Sequence, residues 1–222
     1  MMADEWRVIW FTLGVCALST AIITPFGLAL AYLLARKRWR GKTFVEAIVT
    51  IPLVIPPVAT GLILLKLLGR RGGIGGFLHD HFGTDIVFTW RAVVIASAVM
   101  SFPLLVRAAR VGIEGVDRDL EDVARVFGAS SLRVFFAVTL PLAGRGIWAG
   151  IVLAFARAIG EFGATILVAG NIPGKTTTLS LKIYEAVQLG NDQTAWRLVA
   201  ICVLISFAAV WISQRLAGRA SA

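Results

Sequence analysis

An uncharged stretch of 28 residues, Val8 to Ala35, lies near the start of the chain. About 20 apolar residues are enough to cross the hydrocarbon core of a bilayer as a helix, so the stretch is predicted to span a membrane. A secretory signal has a basic start and an apolar core of roughly 7 to 15 residues. Here Asp4 and Glu5 come first and the run is about twice too long, so we expect it to be retained.

The remainder of the chain is similarly poor in charge. Of the 222 residues, 58% are hydrophobic and only 16% are charged, whereas soluble domains carry about a quarter charged residues. Cys16 and Cys202 lie inside apolar stretches, and the histidines are His79 and His81. We therefore expect neither a disulfide framework nor a metal site.

Charge-free stretches of suitable length predict an all-α integral membrane protein with five transmembrane helices and a single transmembrane domain, residues 8–215. No repeat or Pro/Ser-rich linker divides the chain. The spans are expected at residues 8–35, 46–66, 86–106, 146–170 and 197–214.

The distribution of basic residues predicts the orientation, because Lys and Arg near span ends tend to remain in the cytoplasm. With the N-terminus periplasmic and the C-terminus cytoplasmic, most of the 22 basic residues fall on the cytoplasmic side, most densely at residues 36–42. The net charge of +9 then follows from topology. The charges are split among short loops rather than gathered in one tract, so no nucleic-acid partner is expected.

Two segments on the predicted outer side contrast in pattern. Glycines at positions such as Gly72 and Gly75 favour turns over regular structure in residues 66–91. Residues 171–197 are instead expected to hold a short amphipathic helix closed by Gly190.

Residues 169–176 come close to the pattern of a phosphate-binding P-loop. Ala169 stands where such a loop needs glycine, and Pro173 removes a backbone N–H donor. The preceding residues are also a predicted span rather than a buried strand. We expect no ATP site and no enzymatic activity in this chain.

The cytoplasmic segment 107–145 has the clearest local pattern. Asp117 can cap a helix that Gly128 would end, and Ser130 or Ser131 can begin a second helix ahead of Pro141. Apolar residues of the first helix share one face, namely Leu120, Val123, Ala124 and Phe127.

A short helix is not stable in water by itself, so this apolar face must bury against something. One interpretation is a hairpin that packs the face on its own domain. The other is docking to a separate soluble protein, which is favoured because most of the chain lies in the bilayer.

The motif Asp122-Val123-Ala124, three residues, Gly128, nine residues, Val138, one residue and Leu140-Pro141 resembles the cytoplasmic signature of ABC importer permeases. That family has Glu-Ala-Ala, Gly and Ile-x-Leu-Pro at the same spacings, so the differences are conservative. The resemblance implies that residues 107–145 form a coupling segment between spans 3 and 4 that docks into an ATPase subunit. The expected coupling residues are Asp122, Val123, Ala124, Phe127, Gly128, Leu140 and Pro141.

Segments 51–58, 100–104, 155–165 and 170–176 are similar to those of molybdate permease subunits. This resemblance implies ATP-driven import of molybdate through the bacterial inner membrane by a permease homodimer in contact with membrane lipid. The implied partners are two ABC ATPase subunits and a periplasmic molybdate-binding protein, and the permease itself needs no cofactor. Permeases for sulfate, thiosulfate or tungstate are similar enough to remain alternatives.

A self-sufficient channel or secondary transporter is the alternative from another class. Such a protein would not need the amphipathic hairpin at residues 117–141.

Two charged residues, Arg157 and Glu161, fall inside the fourth predicted span, four positions apart. An ionised side chain at mid-bilayer costs about 2.5–3.5 kcal/mol on insertion scales, so the pair should face other helices or water. It could form part of the pathway or gate, or it could be a neutralised ion pair that only fixes helix packing.

The second predicted span contains Pro56, Pro57 and Thr60. A broken helix at membrane depth is tolerated where protein or a water-filled cavity satisfies the freed backbone groups. These residues are therefore candidates for the pathway or gate, and a plain kink is the alternative.

Overall fold

The computed structural model describes residues 2–218. All regular secondary structure in this part of the chain is helical, and it contains no β-strand. The helices are α1 Met2–Arg36, α2 Lys42–Val54, α3 Pro57–Leu68, α4 Gly73–Phe82, α5 Trp90–Glu114, α6 Arg118–Val126, α7 Ser131–Val134, α8 Leu140–Ile159, α9 Gly163–Val168, α10 Leu179–Gln188 and α11 Asp192–Gly218. A π-helical turn, Phe135–Thr139, joins α7 to α8.

The central helix of the bundle is α5, which packs against both α1 and α8. In the most apolar part of α5, 61% of the residues are buried, against 17% in α11. Small residues allow the close crossing of α5 and α8. A Cβ atom added to Gly146 would lie 2.7 Å from the Gly112 Cα. This is the packing expected of membrane helices, in which glycine lets two backbones approach.

Within residues 2–218, four helices are long and apolar enough to cross a membrane, and a bent pair supplies a fifth candidate. The pair covers the span expected at 46–66, where α2 and the following helices are bent by 109°. Pro56 disfavours helical backbone at the residue before it, and Ile55 is accordingly extended, with φ −76° and ψ 151°. The break predicted from the prolines is confirmed.

The remaining helices differ from the expected span limits. The span expected at 86–106 corresponds to α5, which starts at Trp90 and extends to Glu114, and the span expected at 197–214 lies in α11, which starts at Asp192. The expected span limits were placed at charged residues, but a helix can continue past a charged residue that has an ion-pair partner. Arg197 in α11 pairs with Glu5 at 3.0 Å.

The span expected at 146–170 is not one helix in the structure. Residues 131–159 are helical without interruption, and the chain then breaks at residues 160–162 before α9 begins. Arg157 and Glu161 therefore do not share a helix, contrary to the expectation from their spacing.

The predictions for segments 66–91 and 171–197 have different outcomes. The helix expected between 171 and 197 is α10, and Gly190 follows it with φ 67°. The expectation of turns in 66–91 is wrong for α4. Gly75 provides close approach there rather than a turn, because a Cβ at this position would lie 2.0 Å from the Leu68 carbonyl oxygen.

Candidate functional site

Local signals at both ends define α6, the first helix of segment 107–145. The Asp117 carboxylate accepts a hydrogen bond from the Asp119 N–H at 3.0 Å, which caps the N-terminus. Gly128 follows the helix with φ 85°, a conformation that favours glycine. Ser130 caps the next helix through the Arg133 N–H at 3.4 Å. The helix limits predicted by Asp117, Gly128 and Ser130 are confirmed.

The apolar face of α6 is exposed. Val123 is 54% exposed and Phe127, just after the helix, is 86% exposed, and the neighbouring Leu120 and Val126 are exposed as well. The hairpin therefore does not pack this face on its own domain. We call these four residues, Leu120, Val123, Val126 and Phe127, the apolar face of α6. A contiguous exposed apolar surface of this kind is typical of a binding site.

The other predicted coupling residues surround this face. Asp122 is exposed and pairs with Arg125, and Ala124 is half-buried. Leu140 is half-buried against the core formed by α1, α5 and α8, whereas Pro141 is exposed in the first turn of α8. The predicted coupling residues thus extend from the exposed helix to the start of a candidate span.

A buried glutamate, Glu121, attaches α6 to the rest of the protein. Its side chain is 1% exposed, and Arg36 at the end of α1 lies 2.9 Å from its Oε1 atom. The Thr139 hydroxyl donates to the same oxygen at 2.8 Å, and Arg36 also donates to the Val116 carbonyl at 2.8 Å. A buried charge needs such partners. We refer to Arg36, Glu121 and Thr139 as the anchor cluster.

The sequence pattern does not predict the function of Glu121. Its hydropathy indicates a solvated residue, and its main partner, Arg36, is 85 positions away. The local pattern contains no signal for this contact. The π-helical turn that presents Thr139 also has no signature in the sequence, although such turns are frequent at functional sites.

The second polar site lies at the break between α8 and α9. Arg157 Nη1 donates to Glu161 Oε2 at 2.9 Å, and the Ala164 N–H donates to Glu161 Oε1 at 2.8 Å. Glu161 is 2% exposed, whereas the Arg157 side chain is 27% exposed. The predicted pairing of Arg157 with Glu161 is present. Glu161 in addition satisfies a backbone donor of α9.

The helices that flank the two chain breaks pack together. A Cβ added to Gly61 in α3 would lie 2.8 Å from the Ala164 Cα, and one added to Gly163 would lie 2.8 Å from the Pro57 Cβ. The structure therefore brings the broken second span and the segment after Glu161 into direct contact.

The polar and proline residues of this contact differ in exposure. Pro56 and Pro57 are exposed at the start of α3, whereas Thr60 is buried one turn later. Within residues 2–218, the buried hydroxyls of Thr60 and Thr165 have no hydrogen-bond partner. Buried hydroxyls normally form hydrogen bonds. The contact between α3 and α9 is therefore polar, but two of its hydroxyls lack a hydrogen-bond partner among the described residues.

Within the same residues, no three His, Cys, Asp or Glu side chains form a group that could hold a metal ion.

Comparison with known proteins places these features in one family. The sequence profile of the family described as "Binding-protein-dependent transport system inner membrane component" matches residues 23–221. The molybdenum transport system permease protein ModB of Escherichia coli strain K12 is 47% identical over 214 residues, which cover 96% of this chain and 93% of that protein.

Two further relatives are less similar to this chain than that protein is. The putative molybdenum transport system permease protein YvgM of Bacillus subtilis is 40% identical, over 90% of this chain and 88% of that protein. The sulfate transport system permease protein CysW of Synechococcus elongatus is 38% identical, over 81% of this chain and 63% of that protein.

Solved structures share the fold. An inward-facing structure of the MetNI methionine ABC transporter matches with a TM-score of 0.73 at 20% identity, over 97% of both chains. A bacterial alginate ABC transporter matches with a TM-score of 0.72 at 19% identity, over 96% of this chain and 78% of that one. The all-helical architecture is therefore the ABC transporter permease fold, and the chain belongs to the family of inner membrane components of binding-protein-dependent transport systems.

Proposed function

We propose that the chain is the permease subunit of an ATP-driven ABC importer that carries molybdate across the bacterial inner membrane. The observation that carries this proposal is the exposed apolar face of α6 on a helix fixed to the body by a buried ion pair. A channel or secondary transporter working alone has no need of such a face.

The relatives support molybdate as the substrate. The permeases named for molybdenum transport in Escherichia coli and Bacillus subtilis are 47% and 40% identical to this chain over most of its length. The sulfate permease CysW is 38% identical over a smaller part. Tungstate has the same charge and tetrahedral shape as molybdate and remains the nearest alternative, with sulfate and thiosulfate next.

The orientation that fits the charges has the N-terminus in the periplasm and the C-terminus in the cytoplasm, with the bent α2–α3 pair as one of five spans. The basic residues at 36–42 and the coupling segment at 107–145 are then cytoplasmic. The loop that leads to α10 faces the periplasm, where a molybdate-binding protein would deliver the anion.

Two copies of this chain would form the translocation path at their interface, because a single copy has too few helices to enclose such a path. Helix α2 supports this arrangement, because none of its 13 residues is buried within the chain. Its surface is therefore available to lipid or to a second permease.

In the proposed mechanism, two ATPase subunits bind the coupling residues around α6 and hydrolyse the ATP. No cofactor is required in the permease. Closure of the ATPase subunits pulls on α6, and the anchor cluster transmits the displacement to the end of α1 through Arg36 and toward α8 through Thr139. The spans then rock, and the path opens to each side in turn.

For the membrane polar site, we propose that Glu161 fixes the break between α8 and α9. Both of its oxygens have partners, Arg157 and the Ala164 N–H. The packed α3–α9 contact, which includes Pro57 and follows Pro56, is then the candidate gate element, with the buried hydroxyl of Thr60 inside it.

Reconstitution in liposomes tests the proposal. The permease, an ATPase subunit and a molybdate-binding protein should together import molybdate, with ATP supplied on the ATPase side. Excess sulfate should leave uptake unchanged, whereas tungstate should compete. Uptake by the permease alone, driven by an ion gradient, would instead support the secondary transporter.

A further inference from the structure

A basic groove lies where the ends of three helices meet. It encloses about 620 Å³ between the end of α1, the start of α2 and the end of α5, and its wall continues to the start of α6. The charged side chains that line it are Arg36, Lys37, Arg38, Lys42, Glu114, Asp117 and Arg118. We refer to this site as the basic groove.

The acids of the groove are already engaged by other groups. Glu114 pairs with Arg110 at 2.7 Å, and Asp117 accepts the capping hydrogen bond of α6. Lys37 and Arg38 are exposed, and neither pairs with an acid anywhere in the described part of the chain. The groove therefore has an excess of positive charge, to which Arg40 adds from the same loop.

The position of the groove relative to the apolar helices indicates how deep in the membrane it lies. α1 and α5 are candidate spans, and α2 belongs to the bent pair. A site at their common end lies where hydrocarbon gives way to headgroups. The exposed side chains of Leu33 and Phe44 flank the groove along the chain, and Trp39 is 38% exposed in its loop. Tryptophan is enriched at this depth in membrane proteins.

We propose that the basic groove binds the headgroup of an anionic phospholipid. The phosphate would be held by Lys37 and Arg38, and the acyl chains would extend along the exposed apolar surface that includes Leu33 and Phe44. This combination of cations with flanking apolar side chains distinguishes a phospholipid from a free oxyanion, which would gain nothing from the apolar surface. Basic pockets at the cytoplasmic ends of spans recognise lipid headgroups by this chemistry.

Native mass spectrometry of the purified permease tests the proposal without any measurement of transport. Phosphatidylglycerol and phosphatidylcholine with identical acyl chains are titrated against the wild type, and phosphatidylglycerol should bind more tightly. The double variant Lys37→Gln and Arg38→Gln should bind phosphatidylglycerol about 25-fold more weakly, at about fivefold for each cation removed. Its affinity for phosphatidylcholine should not change.

The matched control is the double variant Arg71→Gln and Lys175→Gln. These residues are also exposed and have no acidic partner in residues 2–218, but they lie away from the groove. The control should bind phosphatidylglycerol as the wild type does. Equal loss in both variants would overturn the proposal, because the effect would then follow net charge rather than this site.

Two further results would also overturn it. Displacement of the lipid by inorganic phosphate at equal concentration would show that the groove is a free-anion site. Loss of ATPase binding in the groove variant, with unchanged affinity for phosphatidylglycerol, would make the groove a protein interface. Because lipid affinity is measured on the permease alone, failure here leaves the proposed transport function untouched.

Discussion

The guanidinium of Arg36 and the carboxylate of Glu121 lie 2.9 Å apart, although 85 positions separate them in the chain. Their side chains are 6% and 1% exposed. One belongs to the last turn of α1 and the other to α6, so this buried ion pair joins the exposed helix of segment 107–145 to a candidate span. This contact gives α6 a fixed position from which a partner's movement can reach the membrane.

Replacement of Glu121 by methionine should destabilise the protein by about 3–5 kcal/mol, because Arg36 would be left buried without a counter-charge. The double variant Arg36→Met and Glu121→Met should recover most of that loss, since an apolar pair can replace a buried ion pair. Thermal unfolding of the purified proteins measures both effects. Equal stability of Glu121→Met and the double variant would contradict this prediction, because the cost of the single change would then not come from the unpaired Arg36.

The pair Arg157 and Glu161 can be tested in the same way for a structural or a pathway function. If it only fixes the break between α8 and α9, Glu161→Met alone should reduce stability and transport. The double variant Arg157→Met and Glu161→Gln, which keeps an oxygen to accept the Ala164 N–H, should then retain ATP-driven molybdate uptake. Loss of uptake in a double variant that remains as stable as the wild type would assign the pair to the pathway instead.

The contact between α3 and α9 should not tolerate a side chain at Gly61. A Cβ there would lie 2.8 Å from the Ala164 Cα, so Gly61→Ala should cost about 1–3 kcal/mol of stability. Gly144 in α8 is the matched control, because no atom lies within 4 Å of an added Cβ. Gly144→Ala should be neutral or stabilise by up to about 1 kcal/mol. Comparable melting temperatures for the two variants would contradict the close packing.

The loop at residues 171–178 should become less protected from hydrogen exchange in acid. A hydrogen bond from Lys182, with a second from Asn171, holds the pKa of Glu185 below its ordinary value of 4.5. A lowered pKa means that the stabilisation is complete above the ordinary value and is lost as the pH falls through the folded-state value. Hydrogen-exchange protection of the loop should therefore decrease between pH 6 and pH 3.

In Glu185→Gln, protection of this loop should be lower at pH 6 and should change little over the same interval. An acid-dependent decrease of the same size in that variant would assign the titration to another group.

The sequence predicted those features that depend on neighbouring residues. Asp117 and Gly128 delimit α6 through hydrogen bonding and backbone preference within a few positions. The break at Ile55 likewise follows from the proline next to it. Local chemistry was sufficient in these cases.

Contacts between distant segments could not be predicted in this way. Glu121 has the hydropathy of a solvated residue, and only the packing of α1 against the cytoplasmic segment makes it a buried one. The interruption at residues 160–162 was missed because long apolar runs lie on both sides of Gly160 and Glu161. The break in the helix is stabilised because the Glu161 carboxylate accepts a hydrogen bond from the Ala164 N–H.

The affinity of the ATPase subunit for the permease in lipid nanodiscs measures whether α6 binds that subunit through its apolar face. Phe127→Ser should weaken binding by about 30-fold, as expected for loss of an aromatic hot spot of about 2 kcal/mol. The control is Phe82→Ser at the end of α4, which also removes an exposed phenylalanine and should leave the affinity unchanged. Wild-type affinity in the Phe127 variant, with the fold intact, would contradict the claim.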